Sequence, residues 1–372
     1  MTRIAQLGWI GQSVWLDNIT RDLLDSGTLA RYIADLSVTG LTSNPSIYDK
    51  AIGGSDAYDE QIRRLAASGT DTESIFFELA LDDLRRAADM FLPIYRRTNG
   101  VDGFVSLEVS PLLADDAATT TKDAARLYAL SGRPNFFIKI PGTAAGLKAI
   151  EATIFAGVPV NVTLLFSADQ YLAAAEAYTK AIERRVEAGL DPYVPSVASV
   201  FVSRWDGPLA GELPADLHLK LGIAMSHRTY GAYRALLESD RWQRLLNKGA
   251  RPQRLLWAST GTKDKKASDV LYIEALEAPL TVNTMPEETL LAFANHGTVA
   301  GTIVPGVEMS AGGFAAGPNS QNEALIARIQ MEGVDVDKLG RLLQEQGVTS
   351  FAAAWQSLLT RIKETAAAPA TR

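Results

Sequence analysis

One lysine in this sequence lies inside a stretch that otherwise favours a buried β-strand. Lys139 stands between Ile138 and Ile140, and lysine is almost never fully buried without a partner. An apolar pocket disfavours the charged ammonium, so that a fraction of free amine is left to attack a carbonyl carbon. The resulting iminium withdraws electrons and allows a neighbouring carbon–carbon bond to break. The position therefore favours a functional lysine over a core residue.

Polar side chains recur with strand-like spacing in the neighbouring apolar runs. Asn161 and Thr163 fall on the same side of one run, because successive residues of a strand point to opposite faces. Glu108 and Asp17 lie toward the carboxyl ends of two other runs. The two carboxylates could move the protons that such chemistry requires, and the amides of Asn161 and Asn44 could hold substrate hydroxyls or a carbinolamine. No metal or organic cofactor is required.

A structural role is the alternative for each of these residues. A single Asn, Thr or Ser in a strand is most often a core polar group whose hydrogen bonds are satisfied. Asp17 is as suited to binding a backbone amide as to chemistry, and Glu108 could merely neutralise Lys139. Together, however, a lysine, two carboxylates, two asparagines and a threonine near the carboxyl ends of the predicted strands indicate an active site.

The elements that would position these residues alternate regularly along the chain. Eight short β-prone runs are separated by segments with helical spacing, which predicts a parallel sheet. Eight strands favour closure into a (β/α)₈ TIM barrel, whose active site lies at the carboxyl ends of the strands. The predicted strands are Ser13–Asp17, Gly40–Asn44, Phe104–Val109, Phe136–Pro141, Pro159–Phe166, Ser196–Phe201, Leu255–Ser259 and Leu280–Thr284. Helical segments between them include Ala114–Ser131, Gly142–Ala156, Ser167–Ala188 and Leu217–Asn247.

Two regions exceed what a barrel needs. The segment before strand three predicts an extra helix, capped by Asp71 or Thr72 and ending at Arg97. The barrel is expected to occupy residues 10 to 305, and the Gly-rich Ser310–Gly317 is expected to form a loop. Beyond it, helices that cap the barrel are predicted between residues 318 and 366, at 320–331, 335–346 and 349–366. The whole chain, residues 1–372, is predicted to form one domain.

Composition excludes several classes of protein. The absence of cysteine among 372 residues excludes disulfides, thiolate nucleophiles and cysteine metal sites. Three scattered histidines have no metal-ligand spacing. A net charge of −7 without a long basic run argues against nucleic-acid binding. Without a membrane-length apolar segment or a signal pattern, the chain is expected to be cytoplasmic, with no membrane partner.

Several motifs, in one consistent order between residues 13 and 264, resemble those of the transaldolase family. Gly40–Tyr48 resembles its first signature, built on a Thr-Ser-Asn-Pro-Ser core. Phe137–Leu147 resembles the second, in which aliphatic residues flank the Schiff-base lysine and a glycine follows seven positions later. Val160–Ser167 is similar to the strand-five motif of the family. The resemblance weakens after residue 285.

The resemblance implies a role for each matching residue. Lys139 would be the nucleophile and Asp17 the acid/base for carbon–carbon cleavage, while Glu108 and Thr163 would position the catalytic water. The substrate-binding residues would be Asn44, Asn161, Ser199 and Phe201. The phosphate-binding residues would be Arg204, Ser259 and Lys263.

The last motif departs from the best-known family pattern. Gly261 stands where that pattern has an arginine, and Lys263 follows it, as in the longer transaldolase subfamily. Lys263 or another cation would therefore complete the phosphate site with Arg204. Some relatives in this subfamily carry a fused phosphoglucose isomerase domain, and from its length this chain is expected to hold none.

Three functions remain open at this point. The resemblance implies transfer of a dihydroxyacetone unit from sedoheptulose 7-phosphate to glyceraldehyde 3-phosphate, in the pentose phosphate pathway. A fructose-6-phosphate aldolase on the same scaffold is the nearest alternative, but Phe201 lacks the hydroxyl that could orient water there. A catalytically inactive sugar-phosphate-binding protein is the third. Small sugar phosphates are the expected partners, and the protein is expected to be a monomer or a homodimer.

Overall fold

Eight parallel strands form one sheet whose two edges approach each other. The computed structural model describes residues 2–300, 307–310, 313–316 and 320–368. The strands follow the order β2-β1-β8-β7-β6-β5-β4-β3, so each lies beside its neighbour in the chain, and β1 lies beside β8. Their bounds are β1 Gln12–Leu16, β2 Gly40–Leu41, β3 Val105–Glu108, β4 Phe136–Pro141, β5 Val160–Leu165, β6 Ser196–Phe201, β7 Arg254–Ala258 and β8 Thr281–Met285. The predicted (β/α)₈ barrel is confirmed.

The barrel closes between β2 and β3. The amide of Leu41 donates to the carbonyl of Phe104 at 3.0 Å. A Cβ at Gly40 would lie 2.7 Å from that same carbonyl and from Nε1 of Trp15. Glycine is therefore required where these three strands converge.

Helices surround the barrel and extend it at two places. None of those formed by the described residues combines the length and apolar character needed to cross a bilayer. The α-helices are α1 Arg3–Trp9, α2 Arg21–Asp25, α3 Thr28–Asp35, α4 Pro45–Gly54, α5 Asp59–Ala67, α6 Thr72–Arg97, α7 Ala117–Ser131, α8 Ala144–Phe155, α9 Ala168–Glu187, α10 Leu221–Glu238, α11 Asp240–Leu246, α12 Leu271–Ala275, α13 Glu287–His296, α14 Ser320–Met331 and α15 Val336–Ala367. Short 3₁₀ helices occupy Asp56–Tyr58, Pro111–Leu113, Ser203–Trp205, Gly207–Leu209 and Ala215–Leu217.

The segment before β3 contains the predicted helix, α6, and two further helices, α4 and α5. Helix α6 begins after Asp71, whose side chain accepts from the amide of Ser74 at 3.0 Å. Helices α4 and α5 were not predicted. Strand β2 is also shorter than predicted, because Asn44 caps α4 by accepting from Ile47 N at 3.1 Å, with Pro45 in the first turn.

Two helix predictions were wrong about where a helix is interrupted. The segment 217–247 is not one helix, since Ser239 is extended (ψ 146°) and caps α11. The two helices predicted at 335–346 and 349–366 are instead the single helix α15. Gly347 falls in the predicted gap, but it lies within α15, where an added Cβ would meet the side chain of Leu164 at 2.8 Å. Gly347 thus permits close packing instead of ending a helix.

The loop predicted at residues 310–317 is wrong where the structure describes it. Strands Val307–Ser310 and Gly313–Ala316 pair antiparallel, with Gly313 opposite Ser310. The glycines had suggested a loop because glycine is uncommon in strand interiors. The predicted end of the barrel, near residue 305, lies outside the described residues. The assignment of the whole chain to one domain stays a prediction.

An aromatic layer fills the middle of the barrel. The rings of Phe104 and Phe137 stack with centroids 4.2 Å apart, and Trp15 lies 6.1 Å from Phe137. All three side chains are buried. Trp15 precedes Asp17 by two residues and Phe137 precedes Lys139 by two, so each pair shares a strand face. The layer therefore separates the carboxyl-terminal half of the barrel from its amino-terminal half.

Helix α15 lies across the carboxyl ends of β4 and β5. The side-chain amide of Gln344 donates to the carbonyls of Leu164 at 2.9 Å and of Gly142 at 3.2 Å. Farther along α15, the buried Trp355 packs against Phe76 and Phe77 of α6, with ring centroids 4.9 and 5.7 Å apart. The helix thus joins the extra helix before β3 to the rim that was predicted to hold the site.

Candidate active site

Lys139 and Glu108 form a buried ion pair at the carboxyl ends of two adjacent strands. They are paired in register on β4 and β3, and Nζ of Lys139 lies 3.1 Å from Oε2 of Glu108. Nζ also donates to the carbonyl of Ser43 at 3.0 Å. Burial raises the pKa of Glu108, an effect that the positive charge of Lys139 opposes. The pair therefore combines an amine with a carboxyl group whose affinity for protons is increased.

Asp17 lies just beyond β1 and faces the same space. Its carboxylate accepts a hydrogen bond from the hydroxyl of Thr42 at 2.7 Å, and that hydroxyl lies 2.7 Å from the hydroxyl of Thr284. Burial raises the pKa of Asp17, while the Thr42 hydrogen bond and the charges of Lys139 and Arg204 lower it. The partly buried carboxylate borders the cavity, and the protein around it increases its affinity for protons.

Hydrogen bonds link the polar residues of β3, β5 and β6. The hydroxyl of Ser199 donates to the side-chain oxygen of Asn161 at 2.7 Å, and the Asn161 amide donates to the hydroxyl of Ser106 at 3.2 Å. The buried hydroxyl of Thr163 has no hydrogen-bond partner among the described residues. A buried hydroxyl that protein atoms leave unsatisfied is suited to a substrate or a water molecule.

Two cations lie on the rim opposite these residues. Arg204, in the 3₁₀ helix after β6, places its guanidinium carbon 5.2 Å from the ring centre of Phe201. Neither Arg204 nor Lys263 has a carboxylate within 4 Å among the described side chains. Burial lowers the pKa of both, and that of Lys263 is lowered further by the charges of Arg204 and Lys50. The hydroxyl of Ser259 lies 3.0 Å from that of Ser203. Because no carboxylate pairs directly with either cation among the described side chains, their charge is suited to an anionic group.

These groups surround a cavity of about 230 Å³. All the predicted site residues line it except Glu108 and Asn161, which lie behind Lys139 and Ser199 respectively. Further lining side chains, which the sequence reasoning missed, include Thr42, Thr284, Glu288 and Phe351. Among the described residues, no group of three or more His, Asp or Glu side chains could hold a metal ion.

Phe351 is a missed residue that lies close to the lysine. Its ring centre, on α15, lies 5.7 Å from Nζ of Lys139. No local pattern distinguishes it from the other apolar residues of that helix. Thr42, by contrast, lies in the Thr-Ser-Asn-Pro-Ser motif two residues before Asn44. Its place in that motif could have identified it as a site residue.

Packing at the end of β4 explains why a glycine, Gly146, stands seven residues after Lys139. A Cβ at Gly146 would lie only 1.8 Å from the carbonyl of Pro141. Helix α8 must therefore begin tightly against the end of β4, which fixes the strand end that carries Lys139.

The fold and these residues together define a class: a (β/α)₈ barrel enzyme with a lysine-centred site at the carboxyl-terminal rim. The family model described as Transaldolase/Fructose-6-phosphate aldolase matches residues 14–362, and the chain belongs to that family. It is 43% identical to a transaldolase of Frankia alni over 97% of this chain and 96% of the relative. Transaldolases of Thermobifida fusca (43%, 98% of both chains) and Mycolicibacterium smegmatis (41%, 96% and 95%) are similar.

Proposed function

We propose that the protein is a transaldolase, which transfers a dihydroxyacetone unit from sedoheptulose 7-phosphate to glyceraldehyde 3-phosphate in the pentose phosphate pathway. The products are erythrose 4-phosphate and fructose 6-phosphate. The observation that carries the proposal is the buried Lys139–Glu108 pair, with Nζ and Oε2 3.1 Å apart, beside a cavity that two unpaired cations also line. Full-length similarity to transaldolases supports it.

The reaction begins when the unprotonated amine of Lys139 attacks the ketone carbon of the donor. Loss of water from the carbinolamine gives an iminium. Asp17 then accepts the proton of the hydroxyl on the carbon beyond the scissile bond, that bond breaks, and its electron pair moves onto the iminium. An aldose phosphate leaves, and an enamine of dihydroxyacetone stays on the lysine. Addition to the acceptor aldehyde reverses these steps, and Asp17 returns the proton.

Glu108 and Thr163 serve the formation and hydrolysis of the iminium. Glu108 contacts the amine directly, and its raised pKa suits a group that both accepts and returns a proton. The unsatisfied hydroxyl of Thr163 holds the water that enters and leaves. Asn44 and Ser199 bind the hydroxyls of the dihydroxyacetone unit from the cavity wall. Asn161 is assigned to the same unit from behind Ser199, whose hydroxyl donates to its side-chain oxygen.

Arg204, Lys263 and Ser259 bind the phosphate of the donor. Arg204→Ala is expected to lower kcat/KM by roughly 30- to 1000-fold, about 2–4 kcal/mol, because it removes a charge-assisted contact. Lys263→Ala should cost less, since its ammonium is a point charge on a flexible stem and the residue is more exposed to solvent than Arg204. The measurement is kcat/KM with fructose 6-phosphate and with unphosphorylated dihydroxyacetone as donors. Both losses should largely disappear with dihydroxyacetone; equal losses on both donors would contradict the phosphate assignment.

Fructose-6-phosphate aldolase activity is the second candidate, and Phe201 distinguishes the two. Its ring lines the cavity against Phe166, with centroids 5.5 Å apart, and offers no hydrogen bond to water. Phe201→Tyr is expected to raise the ratio of free dihydroxyacetone release to transfer by at least about tenfold, since a hydroxyl there can orient water toward the iminium. Phe201→Leu is the matched control that adds no hydroxyl. An equal rise in both variants would show that cavity size, not water orientation, sets the ratio.

A trapping experiment tests the proposed function itself. Borohydride reduction in the presence of fructose 6-phosphate, followed by peptide mass mapping, should give a three-carbon adduct on Lys139. An adduct on another lysine would overturn the nucleophile assignment, and no adduct would leave the inactive binding protein as the better description.

We extend the proposal to the organisation of the protein. Residues 1–372 form one domain that acts in the cytoplasm as a monomer or a homodimer. Light scattering measures the number of subunits, and limited proteolysis that released a stable fragment would contradict a single domain.

A further inference from the structure

A second and larger cavity opens at the opposite end of the barrel. Its volume is about 550 Å³, against about 230 Å³ for the cavity beside Lys139. It is lined by residues at the amino ends of the strands, such as Ser13, Ser196 and Arg254, and by Ala5 of α1. Barrel enzymes carry their chemistry at the other face, so the proposed transfer reaction leaves this cavity without a role.

The aromatic layer forms the inner wall of the cavity. Phe104 and Phe137 line it from the barrel interior, the buried Tyr233 contributes to the same lining, and the partly exposed Tyr193 lines it nearer the surface. A space of this size with mainly apolar walls and a few polar groups is typical of small-molecule binding sites. The walls therefore favour a ligand with an apolar body.

Two arginines on the cavity lining have no acidic partner. Arg254 donates to the hydroxyl of Ser13 at 2.8 Å and to the carbonyls of Thr281 and Val101. Arg251 donates to the carbonyl of Asn99, and its guanidinium carbon lies 4.1 Å from the ring centre of Tyr193. Within the described part of the chain, neither has a carboxylate within 4 Å.

Among the described residues of this lining, the one carboxylate is buried and already accepts hydrogen bonds from neutral donors. Asp102 accepts from the hydroxyl of Ser13, from Nε1 of Trp15 and from the amide of Gly103. The cavity therefore presents two guanidinium groups bonded to neutral oxygens, which leaves their charge available to an anion.

We propose that this cavity binds a small organic anion, a carboxylate on an aromatic or aliphatic body. The apolar body would rest on Phe104 and Phe137, and the carboxylate would contact Arg251 at the surface end. This site is independent of the proposed transferase reaction, so its test does not use substrate turnover.

A pair of fluorescent probes tests the chemistry of the ligand. Anilinonaphthalene sulfonate carries an anionic group in place of the carboxylate, and phenylnaphthylamine is its neutral counterpart. The folded protein is expected to bind one equivalent of the sulfonate at least about tenfold more tightly than the neutral probe. Naphthoate, but not naphthalenemethanol, should displace it. Equal affinity for the two probes would overturn the anion assignment.

Matched variants locate the site. Arg251→Gln should weaken sulfonate binding at least about fivefold and leave phenylnaphthylamine binding unchanged, whereas Arg3→Gln, an arginine on α1 that also bonds a backbone carbonyl, should change neither. Ala5→Phe should block both probes by filling the cavity, and Ala5→Leu repeats the test if thermal unfolding shows that the phenylalanine variant does not fold. Undiminished binding to both Ala5 variants would overturn the proposal. A second outcome would also overturn it: sedimentation shows a dimer for the parent protein and a monomer for the Ala5 variants, and the parent protein binds neither probe. A second copy of the chain would then cover this face.

Discussion

Lys139→Met is expected to lower kcat by at least about 10⁴-fold, because it removes the amine that forms the covalent intermediate in the proposed mechanism. Methionine keeps the length and the apolar stem of the side chain, so the aromatic layer beneath it and Phe351 above it retain a packing partner. The expected loss corresponds to about 5 kcal/mol of transition-state stabilisation. Steady-state kinetics with fructose 6-phosphate and erythrose 4-phosphate measures it.

Stability provides the control for this variant. Glu108 loses its cation in Lys139→Met and stays buried, which favours protonation of its carboxyl group, whose pKa burial already raises. Lys139→Met/Glu108→Gln removes the carboxylate as well and should unfold at a temperature closer to that of the parent protein. Activity above about one hundredth of the parent value in either variant would exclude Lys139 as the nucleophile.

Asp17→Asn is expected to slow carbon–carbon cleavage by about 10²- to 10⁴-fold, the usual contribution of a positioned proton acceptor. Asparagine keeps the oxygen that accepts from Thr42, so the local geometry should persist. In single-turnover experiments, borohydride should trap the whole six-carbon donor on Lys139 instead of a three-carbon fragment. Glu108→Gln should instead slow formation and hydrolysis of the iminium. A block at the same step in both variants would contradict the division of roles.

The pH dependence gives an independent check on Asp17. The proposed base must be ionised, and its pKa is raised, so activity should fall with decreasing pH at a value above the ordinary range of aspartate. Thr42→Val removes a hydrogen bond that lowers this pKa, and should therefore move the acidic limb to higher pH. Thr284→Val, which removes only the second hydroxyl of the pair, is the matched control and should shift it less. An unchanged limb in Thr42→Val would exclude Asp17 as the group that controls it.

The sequence predicted the barrel because its signals are local. Alternating polarity within strands and the spacing of helical segments depend on neighbouring residues, and they placed Lys139 on β4 beside Glu108 on β3. The position of Asn44 was predicted less well, because Pro45 allows the chain to enter α4 directly, and its side chain caps that helix. Its amide nitrogen remains the group that the proposed function assigns to substrate.

The features that the sequence could not predict depend on contacts between distant segments. Glycine is unfavourable inside a helix. Only the packing of α15 on Leu164 explains why the helix continues through Gly347. Phe351 approaches Lys139 because Gln344 and Trp355 hold that helix across the rim. The cavity at the amino-terminal end arises because the side chains there do not fill the barrel. The volume that they leave empty depends on how they pack and does not follow from the hydrophobic pattern of the sequence.

Helix α15 makes completion of the site depend on the end of folding. The eight strands and their carboxylates all lie before residue 336 in the chain, whereas the wall that Phe351 provides is added only when this helix docks. Contacts between residues so far apart in sequence form late, because loop closure is costly. During synthesis, the barrel would therefore pass through a stage in which Lys139 is in place while its surroundings remain open to water. The amine would acquire its final environment only after the last helix has left the ribosome.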